Sequence, residues 1–279
     1  LLLAPDQPQP GETLRAILDF VFEESRRYSI SSIHWLFPTT NELEPMLERG
    51  FMHRLGCQFH WQNPGYRDFE DFLDTFTAKR RKNIKRERRL VREAGLELRL
   101  LHGREATECQ WHSVHEFYRS TFQRLGGIPT LTLPFFLEVA ALLGDRLLLV
   151  LASSQGREVA AAISFRSDTT LYGRHWGCQV DFDSLHFEAC YYQGLDYCIQ
   201  QGLRGFEPGA QGEHKIHRGF LPTLTHSAHW IAHPGFRRAI ADFLARETPA
   251  VRNYAQQLLQ RSPYRAEVML NAPTVAGSA

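Results

Sequence analysis

Residues 146–178 read RLLLVLASSQGREVAAAISFRSDTTLYGRHWGC. Three apolar runs are separated by Gln155-Gly156 and Ser167-Asp168, dipeptides of the kind that turn a chain back on itself, so the stretch predicts a meander of three strands. The run LLLVLA is far shorter than the roughly 20 residues needed to cross a bilayer and reads as a buried strand. Downstream, Leu185, Ala189, Tyr192, Leu195, Ile199 and Leu203 fall on one face of a helix over 185–203. Asp181, Asp183 and Ser184 are cap candidates ahead of it, and Gly202 stands near its end. Upstream, LELRLL (96–101) alternates as a strand, 111–127 has helical spacing with a Gly126-Gly127 stop, and FFLEVAALLGD is a second helix. THSAHWIA then reads as a strand and 235–261 as one or two helices. From residue 96 the order is strand, helix, helix, three strands, helix, strand, helix, a mixed α/β (α+β) pattern.

The first 95 residues continue the theme. Leu14, Ile17, Leu18, Val21 and Phe22 mark a helix with Thr13 as a cap candidate, SSIHWLFP a short strand, NELEPMLERG a short helix, and FMHRLGCQFHWQN a strand closed by Asn63-Pro64-Gly65. A long helical pattern follows from Tyr66 to Ala94, with Thr77 able to restart it and Gly95 to stop it. The small-residue tail NAPTVAGSA predicts disorder. With 279 residues, 43% hydrophobic and 23% charged, the chain is long enough for one large core or two small ones. A net charge of +1 gives no global attraction to nucleic acid or membrane, so any such partner must be read from a local patch. Five scattered cysteines without a C-x-x-C pair argue for reduced thiols in the cytosol rather than disulfides or a zinc knuckle. The chain opens on Leu1 rather than Met and shows no signal-peptide pattern, from which a product shortened at its N-terminus is expected.

Two stretches concentrate charge. Nine of the fourteen residues from Lys79 to Arg92 are Lys or Arg. A solvated helix balanced by acidic neighbours is the plainer reading, while Lys79, Arg80, Arg81, Lys82, Lys85 and Arg86 together suit a phosphate-rich ligand: tRNA, a lipid-linked diphosphate or an anionic membrane surface. The second stretch is GAQGEHKIHRGF (209–220). Forming an amide needs a base for the attacking amine and donors for the developing oxyanion. Glu213, His214 or His217 can supply the base, Lys215 or Arg218 the positive charge, and the glycines a close backbone approach. On a strand Glu213, Lys215 and His217 share one face, which selects Glu213 as base and Lys215 as ligand of the acyl carbonyl or of a phosphate. A polar hairpin bound to neighbouring loops is the alternative. His226, His229 and His233 would align for zinc on a helix, but their neighbours read as strand, so no metal is expected. Cys190 reads as a small buried thiol rather than a nucleophile.

The element order after residue 96 resembles the GNAT acyltransferase superfamily. KRRKNIKRERRLVREAG resembles the K-x-R-x-x-I-R/K helix of Fem-type aminoacyl transferases through Lys79, Arg81, Ile84 and Lys85. LHFEACYYQGLDYCIQQGLRGFEPGAQGEHKIHRGF resembles the FemAB-like predicted N-acyltransferases called peptidoglycan biosynthesis/recognition proteins, with Glu207, Gly209, Gly212 and Lys215 on the matching motif. The likeness runs from about residue 33 to residue 263. It implies a tandem GNAT-like fold with a shortened first domain at 1–70, a basic connecting helix at 71–95, a second domain at 96–234, and C-terminal helices and tail at 235–279. It further implies an N-acyltransferase or aminoacyltransferase that forms an amide by direct attack of an amine. No tightly bound cofactor is implied; the acyl donor is a co-substrate, aminoacyl-tRNA, acyl-CoA or an acyl carrier protein. A small molecule or peptidoglycan precursor is the implied acceptor, and the implied place of work is cytoplasmic, at the inner face of the membrane. QVDFDSLHFEA stands where CoA-dependent relatives carry an R/Q-x-x-G-x-G/A loop, and its carboxylates would repel a pyrophosphate. In GNAT folds a strand splays open to hold the acyl group, which nominates Tyr172, Arg174, His175, Trp176 and Gly177. His186 and Glu188 face the same cleft or cap the helix, Gln211 joins the substrate contacts, and His60 and Trp61 line the groove or pack in a core. An acetyl-CoA-dependent enzyme and a non-catalytic module that recognises cell wall or anions remain the competing functions.

Overall fold

The computed structural model describes residues 10–210 and 212–270. Gln211 and the tail beyond Leu270 therefore lie outside the described residues. The described residues form two compact units: 10–58 and 222–261 make one, and 59–210, 212–221 and 262–270 the other.

In the first unit the elements are α1 (Pro10–Arg27), β1 (Ser32–Leu36), α2 (Thr40–Glu48), the opening of β2 (Met52–Gln62), most of β8 (Leu221–Ile231) and α9 (Pro234–Leu259). The strand order is β1-β8-β2. β1 and β8 are antiparallel, with His34 opposite His229. The amphipathic spacing read in α1 buries Leu14 and Leu18 against Leu43, Met46, Phe51 and Ala228. Thr13 is not its cap, since α1 begins three residues earlier at Pro10. The region 235–261 is one helix even though Pro249 lies inside it.

The second unit holds α3 (Phe69–Asp74), α4 (Ala78–Glu93), β3 (Leu96–His102), α5 (Glu108–Arg124), α6 (Leu133–Leu143), β4 (Leu147–Ser154), β5 (Arg157–Arg166), β6 (Thr170–Cys178), α7 (Leu185–Phe187), α8 (Gln193–Gln200), β7 (Gly205–Glu207) and, at its end, α10 (Ala266–Leu270). Its strands follow the order β2-β7-β6-β5-β4-β3. β4 to β6 pair antiparallel as the turn dipeptides predict, β3 adds antiparallel to β4, and β7 joins β6 in parallel through the helical crossover. All six residues of LLLVLA are buried because both faces of β4 are covered. Leu147, Leu149 and Leu151 pack with Ala161 and Ile163 under Trp111, Val114, Phe117 and Phe136 of α5 and α6. On the other face Val150 and Ala162 meet Ala189, and Ala152 and Ala160 meet Val91 and Leu185. A side chain of this size contributes about 1.5–3 kcal/mol on full burial, so this one strand anchors helices on both sides.

Two departures from the sequence reading shape the site. The crossover is not one continuous helix, because Glu188–Tyr192 forms a π-helical turn between α7 and α8. Such a turn adds a residue to the spiral and re-aims the side chains around it. Ser184 occupies the N-cap position at φ 65° without a side-chain capping bond.

Candidate active site

β6 and β7 run together only from Thr170/Gly205 to Tyr172/Glu207. β6 continues to Cys178, while β7 ends and the chain turns away through Pro208 and Gly209. The segment expected as a strand at 209–220 is instead a 3-10 turn over Glu213–Arg218. It is bounded by Gly212 at φ 113° and Gly219 at φ 95°, backbone that a side chain would strain. A Cβ on Gly219 would also stand 2.8 Å from Phe72 and from the Tyr264 hydroxyl. The turn's period of three dissolves the expected shared face of Glu213, Lys215 and His217. Glu213 is exposed, Lys215 is buried and His217 lies between.

Lys215 is 2% exposed and its Nζ donates to the Gly209 carbonyl at 2.7 Å. Burial lowers its pKa to about 8. Of the 32 basic residues only four are lysines, the others being Lys79, Lys82 and Lys85 on α4. Where this chain needs a fixed positive charge it uses arginine, which stays protonated; the one buried amine is a group that can titrate. His60 Nε2 lies 4.0 Å from the Glu207 carboxylate. Burial, and then the charge of Lys215, lowers His60 to about 4, while burial raises Glu207. His186 is also lowered to about 4, by burial and then by His214, Arg218 and Lys215. Its ring meets Trp176 and Tyr191 at 5.3 and 5.4 Å, and the Tyr191 hydroxyl bonds His214 Nε2 at 2.9 Å. His60, beside Glu207, and His186, beside Trp176, Tyr191 and His214, thus both lie within electrostatic reach of Lys215, which with burial favours their neutral forms.

The remaining candidates are placed elsewhere. Arg218 is 6% exposed and turns inward, where Nη2 donates to both oxygens of Glu87 at 2.8 and 2.9 Å and Nη1 to the His214 carbonyl at 2.8 Å. Glu188 faces α4, where Oε1 accepts from Arg88 and Gln193 and Oε2 has no partner. His175 packs on Tyr118 and Phe136 beneath α5 and α6, and burial with Arg174 lowers it to about 4. Gly177 faces the same way, its missing Cβ leaving room for the Phe117 carbonyl oxygen, which would stand 2.1 Å from such an atom. Tyr172 and Arg174 are exposed on β6. Trp61 belongs to the core, stacked on Tyr66 and edge-on to Phe72; strand alternation turns it away from His60. Burial raises the Cys190 thiol steeply, in keeping with an inert thiol.

On α4, Arg81, Lys82, Lys85, Arg86, Arg89 and Arg92 line a concavity of about 440 Å³. Lys79 and Arg80 lie outside that lining, and Arg89 and Arg92 extend it beyond the residues expected. Arg81 and Lys85 are paired with Asp74 and Glu70, at 3.3 and 2.5 Å. No helix among the described residues is long and apolar enough to cross a membrane.

The histidines of β8 form pairs rather than a triad. His34 Nδ1 and His229 Nδ1 are 2.8 Å apart, as are His53 Nε2 and His226 Nδ1, and no group of three or more metal-binding side chains occurs among the described residues. His233 caps α9 through Phe236 N.

A mixed α/β unit with an antiparallel meander, a crossover helix and a late parallel strand that diverges from its neighbour defines a GNAT-like fold. The FemAB-like family model, described as peptidoglycan biosynthesis/recognition, matches residues 1–266, and the chain belongs to that family. Solved structures share the fold at low identity. L-PGS from Bacillus licheniformis is 10% identical at a TM-score of 0.59, over 84% of this chain and 79% of that one. FemX is 12% identical at 0.57, over 86% and 85%. A conserved protein of unknown function from Bacteroides thetaiotaomicron is 14% identical at 0.51, over 77% and 74%. A search of curated proteins found no match.

Proposed function

We propose that the Phe59–Leu221 unit transfers an acyl or aminoacyl group from an activated donor to an acceptor amine, in the modification of a cell-wall precursor at the cytoplasmic face of the membrane. The observation that carries this reading is Lys215, a buried amine held near pH 8 between neutral imidazoles where β6 and β7 part. In its charged form Lys215 donates to the acyl carbonyl oxygen as negative charge develops there. Glu207, made more basic by burial, takes the proton of the attacking amine, directly or through His60. The amine nitrogen bonds to the carbonyl carbon, the bond from that carbon to the donor's ester oxygen breaks, and the departing oxygen receives a proton.

The residues at the head of the crossover helix do not fit coenzyme A. Asp181 and Asp183 stand ahead of a helix of three residues with no glycine in the loop, and Arg124 pairs with Asp181 at 3.5 Å. An aminoacyl ester of tRNA fits the chain better. The cationic row from Arg81 to Arg92 spans about 16 Å at 1.5 Å per residue, enough to face several phosphates of a polynucleotide rather than one diphosphate.

Transfer is tested by incubating the protein with amine-bearing peptidoglycan precursors and, in turn, aminoacyl-tRNA, acyl-CoA and acyl carrier thioesters, with products read by mass spectrometry. Amide product from the charged tRNA, lost in Lys215→Met and Glu207→Gln, is the expected result. Product formation undiminished in both variants would falsify the site, and product from acyl-CoA alone would overturn the donor.

A further inference from the structure

We propose that Glu87 is a positioning residue of this site: from the inner side of α4 it holds Arg218 and, through Arg218, the turn that carries Lys215. The inference rests on the reading of Lys215 as a working group.

Glu87 interrupts the basic run of α4, and its side chain is turned inward, 18% exposed. Both of its oxygens accept from Arg218 Nη2, and one also accepts from the Tyr192 hydroxyl of the π-helical turn. Arg218 has few other anchors. Its Nη1 bonds the His214 carbonyl, its guanidinium lies 3.4 Å over the Phe187 ring, and its Nε has no partner. A buried guanidinium that loses its carboxylate is left as an uncompensated charge and must move toward water. The carbonyl it holds belongs to the residue just before Lys215, so that movement drags the turn. Tyr264, bonded to the Gly219 carbonyl at 2.8 Å, holds the turn's far end, while Arg218 and the Tyr191–His214 bond both act at the residue next to Lys215. Lys215 owes its shift to burial, with Cys190 acting on it and His60, His186 and His214 feeling its charge. A loosened turn rehydrates the amine and returns it toward ordinary lysine behaviour.

The chain's four lysines make this measurable without substrate. In protein labelled with 13C at the lysine ε carbon, Lys215 is the signal missing from Lys215→Arg. Its midpoint is expected near pH 8 in the unsubstituted protein, at least one unit higher in Glu87→Ala, and between the two in Glu87→Gln, which keeps one acceptor for Arg218. A folded Glu87→Ala whose Lys215 midpoint stays near 8 overturns the inference, since a residue that only bolts α4 in place would lower the melting temperature and leave that titration alone. Should Glu87→Ala not fold, an unmoved midpoint in Glu87→Gln has the same force. Lys215 titrating near 10.5 in the unsubstituted protein removes the premise. Whether Lys215 does chemistry is read separately, from product formation by Lys215→Met.

Discussion

Replacing Lys215 by methionine should make the protein more stable while abolishing transfer. The amine's pKa falls from the ordinary 10.5 to about 8 through burial. At about 1.36 kcal/mol per unit, keeping the charged form in place at pH 7 costs on the order of 3 kcal/mol. Methionine fills a similar volume without charge but gives up the 2.7 Å bond to the Gly209 carbonyl, a loss of about 1 kcal/mol. The net expectation is roughly 2 kcal/mol of added stability at pH 7. The sign can be followed with pH. A base whose folded pKa lies below its unfolded value contributes stability that is complete above 10.5 and lost as pH falls through 8. Guanidinium unfolding of the two proteins should therefore differ most below pH 8, with the gap closing between pH 8 and 10.5. A Lys215→Met protein that is less stable at pH 7, with a gap that does not change across that window, would refute the claim that a desolvated cation sits here.

Three further outcomes follow from the geometry. In the first unit each close histidine pair shares one proton, and burial lowers His53, His226 and His229, with Arg252 or Arg54 adding to the effect. Their folded values lie below the ordinary 6.5, so this stability is present above that pH and lost below it. Protection factors of the β1, β2 and β8 amides, with the intrinsic rate at each pH divided out, should fall below about pH 6, and protection that is unchanged from pH 8 to 5 would contradict this. Gly177→Ala places a Cβ 2.1 Å from the Phe117 carbonyl oxygen, whereas Gly11→Ala meets nothing within 4 Å. Thermal unfolding should show a loss of roughly 3 kcal/mol for the first and none for the second; equal melting would show that α5 does not press on β6. Binding of a tRNA or duplex RNA probe to α4 should weaken linearly in log salt, and Lys82→Ala and Arg86→Ala should each lower the slope by about one; a slope unchanged in both variants removes those residues from the contact.

The strands and helices were legible because their signals are local. Apolar runs broken by Gln155-Gly156 and Ser167-Asp168 mark out β4 to β6, and a helical stripe ending at Gly95 marks α4. The chemistry-bearing turn was not legible in the same way. GEHKIHRG carries one apolar side chain, Ile216, and so no periodicity to tell a strand from a turn, and what bends it is tertiary: Tyr264, distant in sequence, seizes Gly219, and Glu87 seizes Arg218 from a helix whose composition is mostly positive charge. Glu87 had a signal, a lone acid inside nine basic residues, but only the fold shows that the acid points inward with Arg88 while Arg86 and Arg89 are exposed. The same inversion explains the lysines. Counted with the arginines they are one more positive charge each, yet burial of Lys215 separates it from the other three and makes it the lysine whose charge this fold can vary near neutral pH.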